Sequence, residues 1–353
     1  EKPAENYAKN LSMVQIISQI PRHFLEGIAF GGMIIISSLI VVSGSEFVSI
    51  IPILSVYAFA GYRLIPALQQ IYGALTQLNF SKAALYSLNE DLMSLNLSEK
   101  LSKIDGKLEL RNQLNFKNVF YKYPKTEKFV LNNVNFNIPA YSKIGIVGTT
   151  GGGKTTLIDL VLGLLNPTNG EIIVDKNIIS NTNIRNWQKS IGYVPQQIYL
   201  ADNTVASNVA FGVDSKNIDY QALEKASKIA NLHDFVVNEM PNGYSTLIGE
   251  RGIRLSGGQR QRIGLARALY HKPNVLILDE ATSSLDNITE KMVIDEINNL
   301  KEKITIIIIA HRLSTVKNCD RIFLLEKGQI KVEGNYEELL KKSIDFKKLN
   351  LNS

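Results

Sequence analysis

The stretch Gly148-Thr149-Thr150-Gly151-Gly152-Gly153-Lys154-Thr155-Thr156 leaves its surroundings little choice of fold. It follows the apolar run Ile144-Gly145-Ile146-Val147 and precedes Leu157-Ile158-Asp159-Leu160-Val161-Leu162, so the order is strand, glycine-rich loop, helix. The spacing fits G-x-x-x-x-G-K-[ST], with Gly148, Gly153, Lys154 and Thr155 in the fixed places. Glycines let backbone N–H groups turn inward around phosphate oxygens, and the helix N-terminus adds its positive dipole end. Lys154 suits β- and γ-phosphates, and the Thr155 hydroxyl suits Mg²⁺. The stretch is expected to hold ATP or GTP. A glycine-rich turn with a stray lysine would not explain the flanking strand and helix. The motif leaves open what the nucleotide's energy does.

The first part of the chain has a different chemistry. Phe24 to Val42 is almost wholly apolar, with Glu26 its only charge. A break at Ser43-Gly44-Ser45-Glu46 follows, and Phe47 to Tyr62 is apolar again up to Arg63. A helix needs about 20 such residues to cross a bilayer. The runs therefore predict a transmembrane helical hairpin, with helices over about 24–44 and 47–68. The alternative is a buried hairpin of a soluble protein, which the length and uncharged centres of both runs disfavour. Lys9, Arg22, Arg63 and Lys82 flank the open end, and the tip carries no basic residue. The positive-inside bias puts both open ends in the cytoplasm. Beyond Pro66, Leu68, Ile71, Tyr72, Leu75 and Leu78 recur at helical spacing, so the second helix should run on as an amphipathic one, with Ser81 to Leu92 able to continue it.

Residues 1–93 are thus expected to form the membrane segment and 94–113 a polar linker. Residues 114–353 should form a second domain, with strands at Val119–Tyr121, Ile144–Val147, Ile172–Val174, Val275–Leu278, Thr305–Ile309 and Ile322–Leu325. Helical patterns between the later strands imply an α/β domain around a mainly parallel sheet. The 353 residues have room for two or three domains. The net charge of +6 with 20% charged residues is scattered rather than clustered. Lys341, Lys342, Lys347 and Lys348 read as a solvated helix face, so no nucleic-acid partner is expected. Cys319 is the only cysteine, which excludes an internal disulfide. The chain begins at Glu1 and reads as a fragment or a processed chain.

Further stretches fit the same nucleotide. The apolar strand Val275-Leu276-Ile277-Leu278 ends in Asp279 and Glu280. An Asp there can hold Mg²⁺, and Glu280 can act as general base toward a water attacking the γ-phosphate. Leu255-Ser256-Gly257-Gly258-Gln259 opens a second glycine-rich helix N-terminus suited to phosphate.

The LSGGQ sequence upstream of a strand ending in Asp-Glu resembles the ATP-binding cassette (ABC) ATPases, and the resemblance covers Leu114 to about Phe346. It implies a P-loop ATPase domain in which Gly148 to Thr156 cradle ATP. Tyr123 would stack on adenine, with Tyr121 as the rival for that role. Gln196, beside the similar Gln197, would touch Mg²⁺ and signal to the membrane domain. Mg²⁺ would be held by Thr155, Gln196 and Asp279. His311 resembles the switch histidine that contacts the γ-phosphate, and Ser283 to Asp286 resemble a loop that crosses the dimer interface. Thr246 to Gly252 are similar to a segment that meets coupling helices in ABC exporters. Ser256, Gly257, Gly258 and Gln259 would close on ATP held by a second copy of the subunit, so a homodimer would have two competent sites.

The hairpin then resembles the last two of six transmembrane helices, and the chain resembles the C-terminal part of an ABC exporter half-transporter. Ala58 to Tyr72 and Pro21 to Glu26 are similar to bacterial flippases for lipid-linked oligosaccharides and polysaccharides. The resemblance implies membrane lipid and a lipid-linked glycan as partners, with the ATPase domain on the cytoplasmic side of a bacterial inner membrane. Glu26 and Arg63 are either polar sites facing a cavity or anchors that snorkel to the headgroups. Two other function classes stay open: a soluble ABC ATPase, which the hairpin opposes, and an ATP-binding module without turnover, which Glu280 and His311 oppose. An ABC exporter of peptide, toxin or free lipid is the remaining alternative.

Overall fold

A computed structural model describes residues 2–43, 51–94, 106–124, 126–249, 252, 255–281, 287–299, 304–310 and 313–351. The chain divides into two compact units, residues 1–102 and 103–353.

The first unit is helical. Helix α1 spans Lys2–Val42 and α2 spans Ile51–Ser94. Both are long and apolar enough to cross a membrane, with mean hydropathy 2.2 over His23–Val42 and 1.4 over Ile51–Met93. Large apolar side chains such as Phe24, Ile34, Leu39, Val56 and Phe59 point outward rather than into a core, which suits a solvent of lipid tails. The few polar groups are hidden in the helix itself. The hydroxyls of Ser37, Ser38 and Ser55 donate to the carbonyls of Met33, Ile34 and Ile51 at 2.7, 2.8 and 2.7 Å. The helices approach closely at Gly32, where a Cβ would stand 3.0 Å from the Tyr57 hydroxyl. Helix α1 starts well before residue 24 and runs on through Pro21. Helix α2 runs without a break through Pro66, as the helical spacing beyond it predicts. Its 44 residues are about 65 Å long, roughly twice the bilayer core, so its polar second half must extend beyond the lipid. Residues 44–47 at the expected turn lie outside the described residues.

The second unit is a two-sheet α/β domain. Strands β1 (Gln113–Tyr121), β2 (Leu131–Pro139), β4 (Asn169–Val174) and β5 (Asn177–Ile178) form an antiparallel sheet in the order β2-β1-β4-β5. Strands β3 (Lys143–Val147), β6 (Ile191–Val194), β7 (Val275–Asp279), β8 (Thr305–Ile309), β9 (Arg321–Glu326) and β10 (Gln329–Gly334) form the main sheet, in the order β10-β9-β3-β8-β7-β6. All its pairs are parallel except β9 with β10. The expected mainly parallel sheet is present. The expected strands at Val119–Tyr121 and Ile172–Val174 belong instead to the antiparallel sheet beside it, whose strand β2 is rich in asparagine, a poor strand former that hid it in the sequence.

Alternation along the main sheet sorts side chains into two cores. Ile144, Ile146, Val275, Ile277, Ile307, Ile309, Phe323 and Leu325 face one core, which holds helix α3 (Lys154–Val161) and the antiparallel sheet. Leu276, Leu278, Ile306, Ile308, Ile322 and Leu324 face the other. That core holds α5 (Val205–Val209), α6 (Tyr220–Ile229), α7 (His233–Glu239), α8 (Gly257–Tyr270), α9 (Asn287–Asn299) and the C-terminal helices α10 (Leu313–Val316), α11 (Tyr336–Lys342) and α12 (Ile344–Leu351). The short helix α4 (Ile184–Gln188) locks α3 in place. Its buried Trp187 donates from Nε1 to the Val161 carbonyl at 2.7 Å, and Gln188 donates to the Leu162 and Gly163 carbonyls at 3.2 and 3.3 Å. These bonds satisfy acceptors that the end of α3 would otherwise leave open.

Candidate functional site

The loop between β3 and α3 folds as its glycines require. Gly148 has φ +156°, and a Cβ there would meet the Leu325 carbonyl oxygen at 2.0 Å. Gly153 has φ +103°, and a Cβ would press the Leu131 side chain at 2.9 Å. No L-residue with a side chain fits either place without moving backbone or core. Gly152 N–H donates to the Thr149 carbonyl at 3.0 Å, and the Gly152 carbonyl accepts from Gly328 at 3.0 Å. Lys154 is buried, and its Nζ donates to the carbonyls of Gly148 and Thr149 at 2.8 and 3.1 Å. Burial pulls the Lys154 ammonium below the usual lysine range, while the nearby Glu280 and Asp279 carboxylates push the other way.

Lys154 opens onto a cavity of about 590 Å³ lined by Val130, Thr150, Gly151, Gly153, Lys154, Thr155, Thr156, Gln196, Asp279, Glu280 and Ile309. Residues far apart in the chain meet there because the ends of β6, β7 and β8 lie beside the P-loop. Asp279 closes β7, and burial, then the charge of Glu280, raises its carboxyl pKa. The hydrogen bond from Tyr193 and the Lys154 ammonium oppose that rise. Glu280 has φ +50°, a left-handed conformation unusual outside glycine, and its N–H donates to Ile309 at 3.1 Å. Gln196 Nε2 donates to Glu280 Oε2 at 2.8 Å. Of the two adjacent glutamines, Gln196 lines the cavity.

The donor set fits Mg²⁺. The Thr155 hydroxyl, Gln196 amide and Asp279 carboxylate all offer oxygen, and they line one cavity with Lys154. Mg²⁺ takes oxygen ligands and is bound through one or two protein groups plus phosphate and water, rather than by a protein cage.

The two rival tyrosines occupy different environments. Tyr121 is 6% exposed within the core, whereas Tyr123 is 40% exposed. Tyr123 shares a hydrogen bond with the Thr156 hydroxyl at 3.2 Å, and its ring meets that of Tyr121 edge-on at 5.1 Å. Tyr123 thus stands beside the first turn of α3 with a face available to a base.

Ser256, Gly257, Gly258 and Gln259 do not line this cavity. Ser256 caps α8 in a capping box: its Oγ accepts from Gln259 N–H at 3.2 Å, and Gln259 Oε1 accepts from Ser256 N–H at 2.8 Å. The Gln259 side chain is therefore committed to holding the cap. His311 and Ser283 to Asp286 lie outside the described residues, as do positions 250 and 251 of the Thr246 to Gly252 segment. In the helical unit, His23 Nδ1 is 3.7 Å from Glu26, and Arg63 is exposed. The apolar cleft between Met33–Ser38 and Ile51–Ala58 is lined by neither Glu26 nor Arg63. The side chain of Arg22 is outside the described residues.

Two residues with long-range contacts escaped the sequence reading. Tyr193 donates to the cavity residue Asp279, and away from the cavity Arg267 on α8 donates to the Tyr199 and Asn208 carbonyls, both at 2.8 Å, with the Phe211 ring 4.7 Å from its guanidinium. Both contacts join segments distant in sequence, so periodicity alone does not reveal them.

Residues 131–283 match the family model described as ABC transporter. The match lies within the α/β unit. The chain is 40% identical over 267 residues to an ATP-dependent lipid A-core flippase of Syntrophus aciditrophicus, covering 76% of this chain and 43% of that protein. It is 36% identical over 318 residues to a heterocyst differentiation ATP-binding protein of a Nostoc species, covering 89% of this chain and 51% of that one. The fold is similar to a bacterial Atm1-family ABC exporter with ATP bound, at TM-score 0.70 and 26% identity, covering 99% of this chain and 60% of that chain. The chain thus spans about half the length of the curated relatives it matches. A helical unit with two candidate membrane spans precedes an ABC ATPase domain.

Proposed function

We propose that the chain is the C-terminal part of an ABC exporter half-transporter. It hydrolyses ATP at a homodimer interface and uses the cycle to move a lipid-linked oligosaccharide or polysaccharide precursor across a bacterial inner membrane. The observation that carries the ATPase reading is the convergence of Lys154, Thr155, Gln196, Asp279 and Glu280 on one cavity. Lys154 meets the β- and γ-phosphates of ATP, exchanging two carbonyl partners for phosphate oxygens. Tyr123 offers its ring to adenine. Glu280 takes the proton of the attacking water. Thr155, Asp279 and the Gln196 amide would hold Mg²⁺, which would supply positive charge against the charge of the phosphates.

The start of α8 supplies the second half of the site from another copy of the chain. Ser256 Oγ accepts from Gln259 N–H, which leaves its own hydrogen to donate to a γ-phosphate oxygen, and Gly257 and Gly258 add backbone donors. These contacts exist only in the closed pair, so ATP favours closure and hydrolysis releases it. His311 would add the γ-phosphate contact that the family resemblance implies.

The cargo reading rests on the helical unit and on relatives named lipid A-core flippases at about 40% identity. Those names favour an amphiphile over a peptide. The test is the full-length transporter in liposomes with a polyisoprenyl diphosphate glycan. ATP-dependent exposure of the glycan to an added glycosidase outside the vesicle supports the reading. Movement of free lipid or peptide alone would overturn the cargo and leave the exporter reading standing.

A further inference from the structure

We propose that Tyr193 is a positioning residue that fixes the Asp279 carboxylate for Mg²⁺, an inference that rests on the reading of Asp279 as a metal ligand. The register of the sheet makes the contact. Strands β6 and β7 are parallel, with Tyr193 opposite Ile277 and Val194 opposite Leu278. Tyr193 and Ile277 face the α3 side of the sheet, and Asp279, two residues beyond Ile277, faces it too. Two residues of strand span about 6.6 Å, which a tyrosine side chain reaches along the sheet. Its hydroxyl donates to Asp279 Oδ2 at 3.4 Å. The ring is half-buried against the core formed by Leu157, Ile158 and Ile277, so its direction is set by packing rather than by solvent.

That bond restrains a torsion nothing else in the strand controls. The terminal torsion of aspartate is broad, so a carboxylate at a strand end can swing its plane. A hydroxyl on Oδ2 holds the plane and leaves Oδ1 for a cation or its water. Groups that orient a metal ligand in this way govern how tightly the metal is held. Val194, the next residue, faces the opposite core. A side chain one position along therefore cannot replace Tyr193.

The experiment compares ATP affinity with Mg²⁺ and with EDTA, using the full chain in detergent and a fluorescent ATP analogue. The parent should bind more tightly with Mg²⁺. Tyr193→Phe keeps the ring and removes only the hydroxyl. It should lower the Mg²⁺-to-EDTA affinity ratio about three- to ten-fold while leaving the EDTA affinity and the thermal midpoint near those of the parent. The line shape of Mn²⁺ bound with ATP, measured by electron paramagnetic resonance, should broaden as the carboxylate loses its fixed orientation. An unchanged ratio, or an equal loss with and without metal, would overturn the proposal. Asp279→Asn separates it from the reading beneath. If that variant loses the metal-dependent part and Tyr193→Phe does not, only the positioning role fails. If Asp279→Asn keeps the metal-dependent part, the assignment of the metal ligand fails with it.

Discussion

Glu280 carries two features that a test can separate, its charge and its left-handed backbone. Glu280→Gln keeps size and backbone preference and removes the ability to accept a proton. It should retain ATP binding, cut hydrolysis by about 10²-fold or more and accumulate an ATP-bound pair, measured by turnover and by size-exclusion chromatography. Asp159 offers a test through pH. Burial raises its carboxyl pKa above the value of about 3.9 for an unfolded chain, so the folded state favours the neutral form. Its contribution to stability is intact below that unfolded value and lost as pH rises through the raised one. Asp159→Asn should therefore melt later than the parent near neutral pH, with the difference vanishing toward about pH 4. The side chain is half-exposed and screened, so the gain should be on the order of 1–2 °C. At this scale the sequence made Gly148, Lys154, Asp279 and Glu280 legible, because each sits at a fixed spacing from a strand or helix end. It left Tyr121 against Tyr123 and Gln196 against Gln197 open. Only burial and the cavity wall tell such neighbours apart.

Among the elements, α8 bears most on mechanism. Its N-terminus, which the proposed function assigns to a partner's γ-phosphate, stands outside the cavity that Lys154 lines. Ser256→Arg puts bulk and positive charge where a partner's γ-phosphate would sit, and it also removes the helix cap at a cost of about 1 kcal/mol. ATP binding to the P-loop should persist, and hydrolysis by the assembled pair should fall to a small residue. Unchanged turnover would contradict a site shared between two copies. The thermal midpoint checks that the lost cap alone is not responsible. Elements with strong periodicity were readable in advance: β3, β7 and β8, and α2 past Pro66. In the antiparallel sheet β1 and β4 were readable at Val119–Tyr121 and Ile172–Val174, but β2 was not, because Asn132, Asn133, Asn135 and Asn137 look like a loop until β1 supplies its hydrogen bonds. The capping box of Ser256 and Gln259 was in plain view in the sequence. The same residues carry both the cap and the family motif.

For the whole molecule the question is how an ATPase cycle reaches lipid. Arg63 is the last strongly charged group before α2 leaves its apolar half, and its fork can hold a diphosphate. In the full-length transporter, Arg63→Ala should slow movement of a diphosphate-linked glycan more than it slows basal ATP turnover. Equal rates of both would make the arginine a membrane anchor only. The candidate spans were legible as long apolar runs, because a bilayer demands a length that few other environments do. The polar sites within them were not, since a lone Glu26 or Arg63 reads the same whether it faces a cavity or a headgroup. The two-sided sheet carries a further consequence. Odd-numbered positions of β7 look toward the α3 side, where Asp279 reaches the cavity, and even-numbered ones toward the helices that include α8, so the strand behaves like a ratchet tooth with only two phases. Inserting or deleting one residue before Asp279 would exchange every neighbour at once, turning Leu278 to the cavity and the Asp279 carboxylate into oil. Apolar side chains of like volume can replace one another in this strand, but its count cannot change.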